Sequence, residues 1–198
     1  MADAVTGQLS SFKSALQYGG ARSSLFNMTV YVPGTFDGTT MTGVGALLQT
    51  FHLQCNVSAI PPLTVTPIEK QYFGRTVKIP GDIVYGDLAT TIINAEDYSI
   101  RNAIEVWMDH INGHQDNTQT SDANNSWVGT ARLAQGTKEG SFVTFFDFVD
   151  IWPTTLAEIP LSYDTASDIE QFDVTWAYNY YTSEGDSTVA VGSDWDQD

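Results

Sequence analysis

Cysteine and basic side chains are scarce in this chain, whose 198 residues include one Cys, three His and only eight Lys and Arg. One cysteine cannot form an intramolecular disulfide, so disulfide bonds do not hold this fold together. Cys55 lies in a stretch of alternating apolar and polar residues, which predicts a buried, unreactive thiol. No apolar run approaches the roughly 20 residues that a membrane-spanning helix needs, so we expect no membrane association.

Negative charge dominates the composition, because 24 Asp and Glu give a formal net charge of −16. No Lys or Arg follows Lys138, whereas residues 139–198 hold 13 of the acids. Tight binding of nucleic acid requires cationic side chains that neutralise phosphates, so this composition argues against it. Such a surface favours solubility and does not adhere to a polyanion.

Alternation of apolar and polar residues predicts strands over most of the chain. In FHLQCNVSA (residues 51–59) the apolar side chains are predicted to face inward, and in DIEQFDVTWAYNYY (168–181) the aromatic side chains share one face. Two shorter strands, LTVTPIEK (63–70) and RTVKIPGD (75–82), flank a predicted turn at Phe73 and Gly74. Both contain proline, which is typical of an edge or a projecting arm.

One stretch, NAEDYSIRNAIEVWMDHIN (94–112), predicts a long amphipathic helix. Asp97 or Ser99 is predicted to cap its start, and Gly113 suits its end. Its apolar residues recur with helical spacing and form one stripe that is predicted to cover the open face of a sheet: Ile100, Ala103, Ile104, Trp107, Met108 and Ile111.

Together these elements predict a mainly β fold, with two packed antiparallel sheets forming a β-sandwich or half-open barrel that is flanked by one principal α-helix. We expect a single domain over residues 1–181, in which residues 1–20 form an N-terminal arm or helix. Residues 182–198 are predicted to form an acidic, flexible tail.

No catalytic or metal-binding pattern stands out. His110 and His114 are four residues apart, but Gly113 ends the predicted helix between them and no glutamate base lies there, so no metal and no other cofactor are predicted. Carboxylates are plentiful, but they segregate from the aromatic side chains instead of sharing a cleft with them. We therefore expect a protein that is not an enzyme.

Three blocks in order resemble the tail tube proteins of contractile-tailed, myovirus-type bacteriophages. The first joins LFNMTVYV (25–32) to FHLQCNVSAIP (51–61). The second, GRTVKIPGDIVYGDLATTIINAEDYSIRNAIEVWMDHIN (74–112), joins a basic strand, a Pro-Gly-Asp turn and the helix. The third is FVDIWPTTLAEIPLSYDTASDIEQFDVTWAYNYY (148–181), and the resemblance spans about Ser24 to Tyr181.

This resemblance implies a virion structural protein with the tail-tube fold, assembled in the host cell cytoplasm. It implies hexameric rings that stack into a hollow tail tube, through which double-stranded DNA passes to the host without specific binding. The implied partners are further copies of the chain, the tail sheath protein, the tape measure protein, and the baseplate and tail terminator proteins.

Two sets of residues follow as candidates for this role. The polar sides of two predicted strands give the candidates that face the lumen, for which ordinary solvent exposure is the alternative: Gln54, Asn56, Gln171, Asp173 and Thr175. Three cations are candidates for contacts between subunits, with solvated surface charges as the alternative: Arg75, Lys78 and Arg101.

Other functions remain open from the sequence. A baseplate tube initiator, or the tube of a phage-derived secretion or bacteriocin machine, would share the fold. A β-sandwich carbohydrate-binding module is the alternative from a different class.

Overall fold

The computed structural model describes residues 9–14, 16, 20–32, 50–118, 127–163 and 169–185. Its helices are α1 (residues 9–14), α2 (Phe51–Gln54) and α3 (Ser99–Ile111). Its strands are β1 (Phe26–Tyr31), β2 (Cys55–Ser58), β3 (Leu63–Tyr72), β4 (Arg75–Tyr85), β5 (Leu88–Ile93), β6 (Gly129–Gly136), β7 (Phe142–Leu156), β8 (Gln171–Ala177) and β9 (Tyr180–Gly185).

Seven of these strands form two antiparallel layers that share β7. Sheet A has the order β1–β6–β7–β9 and uses residues 142–151 of β7. Sheet B has the order β7–β8–β5–β2 and uses residues 152–156 of β7. Among the described strands, the remaining two, β3 and β4, pair only with each other.

The shared strand turns from one sheet to the other at Asp150, which has a left-handed φ of 57°. Aspartate tolerates this conformation better than most side chains, and its Oδ2 accepts a hydrogen bond of 2.7 Å from Asn179 Nδ2. Two strands pair with β7 around this bend. Tyr180, at the start of β9, pairs before the bend, and Ala177, at the end of β8, pairs after it. A two-stranded ribbon therefore forms the corner of the half-barrel.

The core lies between the two sheets and is closed by α3. The rings of Trp107, on α3, and Trp176, on β8, have centroids 5.8 Å apart. Large side chains that are less than 2% exposed fill the space around them, and each contributes roughly 1.5–3 kcal/mol on burial: Phe51, Phe148, Phe172, Met28, Leu88, Ile92, Ile100, Ile104 and Ile151. The helix thus has the predicted covering role.

The polar groups of the two core tryptophans are satisfied inside the molecule. The Trp176 indole N–H donates to Thr90 Oγ1 at 2.9 Å, and the Thr90 hydroxyl donates to the backbone carbonyl of Val174. The Trp107 indole N–H donates to the carbonyl of Trp127 at 2.8 Å. Thr90 is therefore a buried polar residue that the aromatic core requires.

The fold class predicted from the alternation pattern is confirmed, and so is the turn at Phe73 and Gly74. The predicted cap at Asp97 or Ser99 is wrong, because Tyr98, with a left-handed φ of 52°, is the N-cap residue and makes no side-chain cap hydrogen bond. Asp97 Oδ1 nevertheless accepts the Ser99 N–H at 3.2 Å just before the helix. Residues 9–14 are helical. No helix in the described part of the chain is long and apolar enough to span a membrane.

Two predicted strands are wrong in part. Residues 51–54 form the short helix α2, and a bulge between Cys55 and Val57 shifts the strand that follows, so Leu53 and Val57 are exposed. The second, residues 168–181, contains two strands, because the chain bends at Tyr178 and Asn179. Since β9 runs to Gly185, the first residues of the predicted tail belong to sheet A, and residues 186–198 lie outside the described part.

Replacing Thr90 with Val keeps the shape of the side chain and removes the acceptor for the Trp176 indole N–H. A buried donor without a partner costs about 1–3 kcal/mol, so we expect the free energy of unfolding to fall by about that amount in urea denaturation. The matched control is Thr130→Val at an exposed position of β6, which should change stability by less than about 0.5 kcal/mol. Equal losses in the two variants would contradict the role of Thr90.

Candidate assembly surfaces

The outer face of sheet B brings together four of the five residues predicted to face a lumen. Asn56 Nδ2 donates to Gln171 Oε1 at 3.3 Å, joining β2 to β8. On the same face, Thr91 Oγ1 donates to Asp173 Oδ1 at 2.6 Å. Thr175 pairs with Ala89 in the adjacent strand. The strand pairing therefore brings these polar side chains together on one face.

Gln54 is the exception among the predicted lumen residues. It is the last residue of α2 and not part of a strand, because the chain turns helically to bury Phe51 before β2 begins at Cys55. The strand pattern that placed Gln54 beside Asn56 does not hold there. The proposed polar face is thus formed without Gln54.

Lysine and arginine are absent from the outer face of sheet B in the described residues. Asp173 is its one charged side chain, and the others are neutral: Asn56, Val57, Ala89, Thr91, Ile93, Thr155, Gln171 and Thr175. The outer face of sheet A is different, because Arg132 binds Asp147 through two nitrogens and lies over the ring of Phe145. The two outer faces are therefore chemically distinct.

Sheet B has an unpaired edge on each side within the described part of the chain. Strand β2 pairs only with β5, and residues 152–156 of β7 pair only with β8. Because the four strands alternate in direction, these two edges run in opposite directions. An unpaired edge presents backbone N–H and C=O groups to another chain, so another copy can continue the sheet at either side.

The β3–β4 hairpin is exposed along its length. Every residue of β3 is exposed, and apolar side chains lie on both strands with about half of their surface in solvent: Leu63, Val65, Ile68, Val77, Ile79, Ile83 and Val84. An isolated two-stranded hairpin is only marginally stable in water. This hairpin is therefore a surface that a further contact would stabilise.

Tyrosines anchor the base of the hairpin to the half-barrel. Tyr178 donates through its hydroxyl to the Gly86 carbonyl at 2.6 Å, and the Tyr85 ring lies 5.6 Å from the ring of Tyr181. Burial and neighbouring acidic groups raise the pKa of Tyr178 to about 12, so its hydroxyl stays protonated as a donor. Sequence alternation did not reveal this cluster, because Tyr85 is far in the chain from Tyr178 and Tyr181.

The three predicted contact cations do not form one cluster. Arg75 and Lys78 lie on the exposed strand β4, where Lys78 Nζ is 3.0 Å from Glu69 Oε1 on β3. Arg101 lies on α3, where it donates to Glu105 Oε1 and to the Ala157 carbonyl at 3.1 Å each. The contacts of Arg101 thus lie within its own chain.

The histidines, the cysteine and the carboxylates are the residue types that could bind a metal. In the described ranges no group of three or more His, Cys, Asp or Glu could hold a metal ion. His114 Nδ1 lies 3.4 Å from Asp109 Oδ1, and His110 is in α3. Burial raises the pKa of the Cys55 thiol to about 12, which keeps it in the unreactive protonated form.

A half-barrel with unpaired edges, one nearly uncharged face and a projecting hairpin defines a structural β-protein that acts through its surfaces. The chain belongs to the phage tail tube protein family, whose model matches residues 21–184. It is therefore a structural component of a contractile phage tail, as the three sequence blocks predicted. The members of this family are virion proteins with a structural role.

Individual relatives agree with this family. The chain is 27% identical over 139 residues to the tail tube protein gp19 of Enterobacteria phage T4, covering 70% of this chain and 85% of that protein. The same values hold for the tail tube protein gp19 of Enterobacteria phage T6.

Two solved structures share the fold. A chain from the PVC sheath–tube complex of an extracellular contractile injection system in its extended state has a TM-score of 0.54 and 15% identity, covering 88% of this chain and 97% of that chain. A chain of the tube-terminating cap of the anti-feeding prophage has a TM-score of 0.59 and 15% identity, covering 86% and 93%. At such low identity these likenesses concern the fold alone.

We expect the Cys55 thiol to react with iodoacetamide at pH 8 much more slowly in the folded protein than in urea, because desolvation raises its pKa. Only the thiolate reacts, and an unfolded cysteine has an ordinary pKa near ~8.5. Mass spectrometry of timed samples measures both rates. Similar rates before and after unfolding would contradict the buried, protonated thiol.

Proposed function

We propose that the protein forms hexameric rings that stack into a hollow tail tube, and that the outer face of sheet B lines the bore through which double-stranded DNA passes. The observation that carries this proposal is the outer face of sheet B, which in the described residues holds no lysine or arginine and is bounded by two unpaired edges that run in opposite directions. Copies joined edge to edge would extend sheet B into a closed barrel with this face inside.

The chemistry of this face suits the passage of a duplex. B-DNA carries one negative charge per roughly 1.7 Å of its axis, so lysine or arginine along the wall would hold it at many points. Neutral amides and hydroxyls do not, and the Asp173 carboxylate repels phosphates over a Debye length of about 8 Å. A bore lined by Asn56, Gln171, Asp173 and Thr175 would therefore let DNA slide.

The hairpin supports contacts between copies. Residues 63–85 carry three cations and two acids, a net charge of +1, whereas the rest of the chain carries −17. We propose that Arg75 and Lys78 contact acidic side chains of a neighbouring copy. Arg101 would contribute by fixing α3 against the segment that follows β7.

Further partners follow from the family. The proposed partners are the tail sheath protein, the tape measure protein, and the baseplate and tail terminator proteins, with assembly in the host cell cytoplasm. A sheath partner is supported by the similar chain from a sheath–tube complex, and a terminator by the similar chain from a tube-terminating cap.

Negative-stain electron microscopy of the purified protein tests the assembly. We expect rings with six-fold symmetry and an open centre, or stacks of such rings, at concentrations where sedimentation detects large particles. A species that stays monomeric at every concentration and salt level, or rings with a filled centre, would contradict the proposal. In purified phage particles, many copies per particle would fit a tube and few copies a baseplate initiator.

Cysteine labelling tests which face lines the bore. We expect Asp173→Cys to react in assembled tubes with a small maleimide but not with a maleimide on a bulky polymer, because the polymer cannot enter the bore. Both reagents should label it in monomers, since position 173 is exposed there. Gel shifts measure the labelling, and the half-buried Cys55, whose thiol pKa is raised, gives a low background.

The matched control is Thr130→Cys on the outer face of sheet A, which should react with both reagents in tubes as well as in monomers. Labelling of position 173 in tubes by the bulky reagent would place sheet B on the outside. Protection of position 173 from the small reagent would indicate a buried contact instead of an open bore.

A further inference from the structure

The tip of the β3–β4 hairpin has an unusual residue at its turn. Phe73 and Gly74 have φ angles of 46° and 76°, so both adopt the left-handed conformation of a tight hairpin turn. Turns of this kind favour Asn-Gly or Asp-Gly, and a bulky side chain at the first position is strained. The backbone of the hairpin therefore gives no reason for a phenylalanine at this position.

Burial does not explain the phenylalanine at position 73 either. The Phe73 side chain is 90% exposed, which is unfavourable for an aromatic ring in water. Its ring packs edge-on against the ring of Tyr72, with centroids 4.6 Å apart, and Tyr72 is itself exposed. This contact gives the ring a defined direction at the end of a hairpin that is about 33 Å long.

We propose that Phe73 is the anchor through which the hairpin of one copy binds a second copy of the chain; this inference rests on the proposed tube function. A preoriented aromatic side chain that costs the monomer stability is what an interface anchor requires. The charge distribution selects the partner, because Arg75 and Lys70 flank the tip while the rest of each copy carries −17. Another copy therefore attracts the tip electrostatically.

The variant Phe73→Asn separates anchoring from folding, because asparagine is favoured at this turn position and removes the exposed ring. Below the assembly concentration, we expect its melting temperature to equal or exceed that of the wild type. We expect its critical concentration for assembly, measured by sedimentation, to rise about 10-fold or more, as for the loss of an aromatic interface anchor.

Two controls accompany this variant. Phe73→Tyr keeps the aromatic ring and should assemble at nearly the wild-type critical concentration. Tyr163→Asn removes another fully exposed aromatic side chain outside the hairpin and should also assemble normally. An equal loss of assembly in Tyr163→Asn would overturn the specific role of Phe73.

The remaining outcomes separate this inference from the proposed function. If wild-type protein forms open tubes and Phe73→Asn forms them equally well, the proposed anchoring role of Phe73 is wrong and the tube function stands. If Phe73→Asn lowers the melting temperature, Phe73 serves the fold and the anchor is again overturned. If the wild type forms no ring or tube under any condition, both proposals fail.

Discussion

One long strand, β7, belongs to both sheets, and its bend at Asp150 is the constraint on which the rest of the structure depends. The bend directs residues 142–151 into sheet A and residues 152–156 into sheet B, so the two inner faces meet around the core tryptophans. The partner strand bends at Tyr178, which also holds the base of the hairpin through Gly86. The core, the two outer faces and the direction of the hairpin are thus set at one corner.

The sequence pattern predicted the fold where burial alone decides it. In β8 the alternating residues Phe172, Val174 and Trp176 are all buried, as expected, and the apolar stripe of α3 faces the core. The pattern failed at residues 51–54, where one turn of helix buries Phe51 and exposes Leu53. It missed the break at Tyr178, because the sequence alternates through Tyr180, whereas in the structure Tyr180 is exposed and Tyr181 packs against the core.

The candidate surfaces were predictable to the extent that they depend on strand pairing. Asn56, Gln171, Asp173 and Thr175 share one face because their side chains follow the two-residue period. Gln54 does not, since it precedes the strand. The internal contacts of Arg101 depend on where α3 packs, and the exposure of Phe73 depends on the hairpin lacking a third strand. Both depend on tertiary packing, which the local sequence pattern does not predict.

The number of strands in sheet B has a consequence for ring size. With four antiparallel strands in each copy, the last strand of one copy always meets the first strand of the next in antiparallel orientation, whatever the number of copies. Backbone pairing therefore tolerates five, six or seven copies alike. The choice among them is left to curvature: the tilt and stagger of the strands, together with side chains at the junctions, select the circumference at which the barrel closes.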